Sequence, residues 1–339
     1  MQNATTAAVS PDRLMALGHG FWVSQILASA AHYKFFTLIS RGHCTADAIA
    51  REAGTNPSGT RVVLDALVTV EVLRKPGGAY TLTPEAEAFL VEGRPGYIAP
   101  MLAGHPQILW QDWGRLREAL KQRPAKSAAY ADAPEPEAFF SHLIRIIMPM
   151  ALGPADTLAE HLGVGVTRKG LRILDVGAGS GAWTMPFARR DPQAEITAFD
   201  LPHVVDETKK IVEETGLAAR YRIEAGDLTT ADFGDRRYDL AMLGNICHGL
   251  TPDQNRDLFK RLHRALAPGG LMVIADMIPN EERTGPPFPV LFAVNMYLMT
   301  DGDTYPLSDY SAWLREAGFK APTTYDTKRS HSPLILAER

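Results

Sequence analysis

The segment Asp175-Val176-Gly177-Ala178-Gly179-Ser180-Gly181 sets one carboxylate and three glycines between an apolar run, Leu171–Val176, and a helical stretch, Ala182–Arg189. Glycines there let the backbone turn sharply and approach a ligand that side chains would hold off, so the loop reads as a nucleotide cradle. Two cofactor classes fit it. Gly177, Gly179 and Ala182 satisfy G-x-G-x-x-G/A, the dinucleotide pattern of an NAD enzyme. Asp175, by contrast, would repel a pyrophosphate. It is placed to orient loop amides and meet a cationic amino group, which favours a zwitterionic nucleotide such as S-adenosylmethionine. Asp200, followed by Leu201, ends the second apolar run, where a carboxylate accepts both ribose hydroxyls of either cofactor. Gly226-Asp227-Leu228 ends the third run, with Asp227 set for an adenine amino group and Leu228 for the ring. Taken singly, each acid could be an ordinary turn residue; their joint placement favours S-adenosylmethionine. None of the ten tyrosines is followed four residues later by a lysine, the dyad of a short-chain dehydrogenase.

A second chemistry-bearing group is His248, which follows the fourth apolar run, Tyr238–Leu243. That places it on the carboxyl edge of a parallel sheet, where open α/β folds hold ligands. A phenol titrating near ~10 is mostly neutral at pH 7, and an imidazole titrating near ~6.5 is suited to remove its proton before methyl transfer. Trp110, Trp113, Met148, Phe292, Asn295, Met296 and Met299 are the candidate acceptor pocket, though such Met- and aromatic-rich stretches are also ordinary core. No His/Asp/Glu cluster around His248 has metal-ligand spacing, so no metal is expected.

These groups need elements to hold them. At 339 residues with 45% hydrophobic side chains, the chain is long enough for two cores. After Thr167, the apolar runs Leu171–Val176, Glu195–Phe199, Tyr221–Ile223, Tyr238–Leu243 and Leu271–Ala275 alternate with helical segments, the pattern of parallel strands buried on both faces. Residues 167–339 are therefore expected to form a doubly wound, Rossmann-like α/β domain. Residues 100–166 read as a helical connector with a Pro- and Ala-rich break from Pro124 to Pro136. In residues 1–99, Leu14, Leu17, Phe21, Ile26, Leu27 and Ala30 make an apolar helical stripe. Helices over Thr45–Ala53 and Ser58–Val70 follow, and then a hairpin around Gly77-Gly78, in the order of a winged helix.

A winged helix raises the question of DNA. From Thr45 to Leu90, four basic residues face six acidic ones, and Ser58–Val70 offers Arg61 alone to a phosphate. With a net charge of −4 over the whole chain, nucleic acid is not the expected partner. No stretch reaches the ~18 apolar residues of a membrane span. Cys44 and Cys247, far apart and in no ligand spacing, suit a reducing cytoplasm.

With these residues in hand, the chain resembles the small-molecule O-methyltransferases that include plant caffeate and hydroxyindole enzymes and bacterial natural-product tailoring enzymes. The likeness rests on the winged-helix region, Ile173–Gly181, Asp200-Leu201-Pro202, Gly226-Asp227-Leu228, Ile246-Cys247-His248, Leu266-Ala267-Pro268-Gly269-Gly270 and Trp313–Phe319. It implies a class I methyltransferase domain, S-adenosylmethionine as cofactor, and His248 as general base toward an aromatic or polyketide-like hydroxyl. It also implies a homodimer paired through the N-terminal domain, which gives the Leu14–Ala30 stripe a partner. Asp276, after the fifth run, matches a family position that often holds a glutamate, where it either orients the imidazole or is a solvated strand-end residue. Gly249 and Leu250 stand where plant relatives carry an aspartate and a tryptophan, and Asp301-Gly302-Asp303-Thr304 offers no clean match to their second glutamate. Carbon or nitrogen methylation, as on tetrapyrroles, is the alternative the scaffold allows; a cofactor-binding protein without turnover is a further one.

Overall fold

The computed structural model describes residues 9–122 and 136–339. The chain divides into two compact units, Met1–Gln111 and Asp112–Arg339.

The first unit opens with α1 (Asp12–Gly18) and α2 (Gly20–His32), two helices broken at His19 where the sequence predicts one. Their apolar residues are largely uncovered: Leu14, Leu17, Phe21 and Trp22 are 49–66% exposed, and Trp110 stacks obliquely near Phe21 at 5.9 Å between ring centroids. Beyond α3 (Phe35–Ser40), α4 (Ala46–Ala53) and α5 (Pro57–Thr69) start where the sequence supplies caps. The Thr45 hydroxyl accepts from Ala48 N–H and the Asn56 amide oxygen from Gly59 N–H. Strands β1 (Leu73–Arg74) and β2 (Thr81–Leu82) pair antiparallel as the wing. Phe36, Ile49, Leu64, Leu67 and Tyr80 fill the core beneath. Arg61 and Lys75, two of the few cations here, are both engaged by Asp65.

The second unit is built on seven strands in the order β5-β4-β3-β6-β7-β9-β8. β3 (Arg172–Val176), β4 (Glu195–Asp200), β5 (Tyr221–Ala225), β6 (Tyr238–Gly244) and β7 (Leu266–Ala275) run parallel. The antiparallel pair β8 (Thr323–Tyr325) and β9 (Leu334–Glu338) closes the edge, a feature the alternating pattern did not predict. The sheet is covered on both faces: one core gathers Leu174, Leu243, Phe259, Ile274 and Trp313, the other Ile173, Phe187, Leu240, Met242 and Val273. Neighbouring residues of one strand thus enter opposite cores, which is why these strands read as continuous apolar runs. The strand order reverses beside β3, and the crevice at that point is where such sheets hold ligands.

The helix after the glycine loop begins at Met185, three residues later than predicted, because Gly181 has φ 73° and Ala182–Thr184 still turn. Connector helices span Ala99–Gly114, Leu116–Ala119 and Pro136–His161; the predicted Pro- and Ala-rich break lies, apart from Pro136, outside the described residues. Among the described residues no single helix is long and apolar enough to cross a membrane.

Candidate active site

Strand register brings the site residues to one edge. Val176 is level with Phe199, Asp200 with Ala225, and Gly244 with Ala275. Residues just past each of these positions therefore meet at the carboxyl end of the sheet: the glycine loop after β3, Asp200 at the end of β4, Asp227 after β5, His248 after β6 and Asp276 after β7.

The cofactor half is organised by Asp200. One of its oxygens accepts from Gly179 N–H at 2.8 Å and the other from Leu201 N–H at 2.7 Å. Each oxygen keeps a second lone pair, the pattern a vicinal diol requires. Burial pushes the Asp200 carboxyl up from the usual range, opposed by those two N–H groups. Gly177 and Gly179 hold φ of 67° and 52°, a region that side chains disfavour. A Cβ on Gly177 would overlap Ile246, and one on Gly226 would overlap the Phe199 ring, so both glycines are dictated by close approach. Asp227 is exposed, with its Oδ1 taking Thr229 N–H and hydroxyl, while Leu228 packs against the core from the same turn.

Asp175 takes a different place from the expected one. The amides of Gly177 and Ala178 go to the Phe199 carbonyl instead. Asp175 lies beneath the loop, 1% exposed, and accepts from the Thr184 hydroxyl at 2.6 Å; Thr184 in turn meets the Tyr221 hydroxyl at 3.0 Å. Burial lifts the Asp175 carboxyl to about 7, with Thr184 opposing and Asp200 adding to the rise.

In the acceptor half, His248 Nδ1 donates to Asp276 Oδ1 at 2.5 Å, and the His248 backbone N–H donates to Oδ2 at 3.0 Å. Met277 N–H and the Tyr310 hydroxyl complete the carboxylate's partners. The Asp276 side chain is fully buried, so it is no solvated strand-end residue. Burial pushes its carboxyl up, but His248 and the donated hydrogen bonds outweigh that and hold it below the usual carboxylate range. An ionised carboxylate only accepts, which fixes the proton of a neutral His248 on Nδ1 and leaves Nε2 with its lone pair. Phe292 meets the imidazole edge-to-face at 5.0 Å.

Two residues with no signature in the sequence hold the His248 loop. Asn255, fully buried, donates to the carbonyls of Cys247, Leu250 and Thr251. Gly302 lies so close that a Cβ there would overlap the His248 carbonyl oxygen. The loop with no match to the family's second glutamate thus contributes backbone. Its Asp303 instead accepts from Arg283 at 2.9 Å.

Of the proposed pocket, Phe292 meets His248, and Asn295 accepts from the Trp113 indole at 3.2 Å. Met296 and Met299 are 1% exposed in the interior. Met148 packs with clusters containing Met185 and Val204, on the cofactor side. Trp110 belongs to the first unit, beside Phe21.

Gly302→Ala is expected to displace the His248 backbone and lower turnover by up to about 10²-fold, the scale of an ångström misplacement, with cofactor affinity unchanged. Steady-state kinetics beside cofactor titration checks this; unaltered turnover would show that the contact does not hold His248.

Comparison with known proteins identifies the family. Residues 166–320 match an O-methyltransferase domain and residues 15–92 an O-methyltransferase dimerisation domain. The chain is 31% identical to acetylserotonin O-methyltransferase of Rattus norvegicus, over 90% of this chain and 72% of that protein. It is 28% identical to 3-hydroxy-5-methyl-1-naphthoate 3-O-methyltransferase of Streptomyces sahachiroi, over 91% and 89%. The structure of human N-acetylserotonin methyltransferase in complex with S-adenosylmethionine shares the fold, with a TM-score of 0.84 at 23% identity over 100% and 99% of the two chains. The glycine loop, the paired lone pairs of Asp200 and the matched domains lead to one assignment: the chain belongs to the O-methyltransferase family, enzymes whose methyl donor is S-adenosylmethionine.

Proposed function

We propose that the enzyme methylates a hydroxyl on an aromatic or polyketide-like small molecule, with His248 as general base, and works as a homodimer through its N-terminal unit. The observation that carries this reading is the His248–Asp276 pair at the ligand edge of the sheet. Bound S-adenosylmethionine supplies an activated methyl group on a sulfonium, open to in-line displacement. The chain's own residues do the rest. Asp200 receives the ribose hydroxyls, Gly177 and Gly179 let the backbone approach, and Gly226, Asp227, Leu228 and Leu201 border the base. Asp175 anchors this loop from below through Thr184. His248 Nε2 takes the hydroxyl proton, and Asp276 stabilises the imidazolium that results. Phe292, Asn295 and Trp113 border the acceptor, and the aromatic hydroxyls named for the rat and Streptomyces relatives support an acceptor of that class.

Pairing of two copies is supported by the dimerisation-domain match and by the uncovered apolar residues of α1 and α2. Soluble monomers rarely leave such a contiguous set exposed.

His248→Ala is expected to lower turnover of a phenolic acceptor by about 10²–10⁴-fold with cofactor affinity near wild type. Asp276→Asn, similar in shape, should lose about 10²-fold or more because it no longer fixes the tautomer. Unchanged turnover in the first variant would reject the base. Leu17→Glu with Phe21→Glu should shift the protein from dimer to monomer in light scattering; a dimer that persists in the double variant would place the interface elsewhere.

A further inference from the structure

Two residues of the segment that leaves β7 bear on His248. Asp276 accepts from its ring and its backbone N–H. Arg283, further along, reaches the stretch that lies on the His248 carbonyl. Between the two the chain makes a tight turn closed by Asn280. The Asn280 side-chain oxygen accepts from Thr284 and Gly285 N–H at 2.8 and 3.1 Å, and its side-chain nitrogen donates to the Thr284 hydroxyl at 3.0 Å. Arg283 sits within this turn at φ 54°, a backbone state that side chains seldom adopt, so the turn dictates its conformation. From there one guanidinium nitrogen donates to Asp303 Oδ2 and to the Thr304 carbonyl, both at 2.9 Å. Glu281 accepts from Ser308 N–H at 3.2 Å and from its hydroxyl at 2.5 Å, a second staple between the same two segments. Thr304 and Tyr305 are buried, and the Tyr305 hydroxyl donates to the Leu250 carbonyl at 2.6 Å. A Cβ on Gly302 would come within 1.9 Å of the His248 carbonyl oxygen. The stretch held by Arg283 thus meets the His248 loop at two places, His248 itself and Leu250. The Arg283–Asp303 ion pair is half exposed and contributes little alone; the charged bond to the Thr304 carbonyl is the firmer link.

We propose that Arg283 is a positioning residue that latches the Gly302–Tyr305 backbone against the His248 loop, so that one segment, Asp276–Arg283, holds His248 both by its ring and, through Gly302, by its backbone. Released from Arg283, this backbone draws back, and His248 gains room to leave its alignment with Asp276. The consequence for turnover rests on the reading of His248 as the base; the consequence for the ring does not.

The test is a double-variant cycle with two readouts. Arg283→Met keeps much of the side-chain length and removes the donors. It should lower kcat on a phenolic acceptor by about 10-fold or more, the scale of a sub-ångström to ångström misplacement, while calorimetry shows unchanged affinity for S-adenosylhomocysteine. In the Gly302→Ala background, where the same contact is already disturbed, Arg283→Met should cost at most about twofold more, because residues acting through one contact are not additive. The second readout is the proton NMR resonance of His248 Nδ1–H, at low field because that proton lies in a 2.5 Å bond to a buried carboxylate, and assigned by its loss in His248→Ala. It should shift or broaden in Arg283→Met. Arg283→Gln, which cannot span the same reach, carries the cycle if Arg283→Met folds poorly. An unaltered resonance overturns the latch, and so do losses of turnover that multiply independently in the double variant. A shifted resonance with undiminished turnover would leave the latch standing and contradict His248 as base.

Discussion

Asp276 is a carboxylate with no access to water, and its burial is tolerable only because four donors converge on it. Two come from His248, one from Met277 and one from Tyr310. Removing His248 would leave a buried charge short of partners, so ring and carboxylate stabilise one another's placement. The pair in turn depends on register. Because Gly244 is level with Ala275, the loop after β6 and the residue after β7 begin at the same height, and a four-residue excursion returns His248 over Asp276. Asn255 gathers the carbonyls of that excursion and Gly302 closes on its far side. His248 is thus held by backbone on three sides, with its Nδ1 spent on Asp276.

The cofactor loop is tied to the same excursion. Gly177 must lack a side chain because Ile246, two residues before His248, occupies that space; Gly244 must lack one because Trp183, just past the glycine loop, lies on it. Close approaches of this kind transmit position without any polar bond, and they set the glycine loop and the His248 loop in one packed layer. Asp175 belongs to that layer as an anchor, reached through Thr184 and Tyr221.

Much of this was legible from residue order. The apolar runs gave β3 to β7, strand ends gave the places of Asp200 and His248, and the two short helices of the first unit were expected close to where α4 and α5 lie. What escaped depends on tertiary contact. Whether Asp276 faces water or an imidazole is not encoded near it in sequence; strand register and Tyr310 decide it. Asn255 resembles any polar residue in the first turns of a helix, yet it is fully buried because the loop before it folds back. Gly302 carries no pattern beyond being glycine. The helix broken at His19 and the later start at Met185 show local turns overriding apolar periodicity. The antiparallel β8–β9 edge was missed because it falls after the last repeated strand and helix.

The central claim is that His248 Nε2 removes the proton of the acceptor hydroxyl. A crystal structure of the enzyme with S-adenosylhomocysteine and a phenolic acceptor tests it most directly. The account predicts the acceptor oxygen at about 2.6–3.2 Å from Nε2, with Nδ1 still on Asp276. An acceptor oxygen bound beyond reach of the imidazole, with another base beside it, would contradict it.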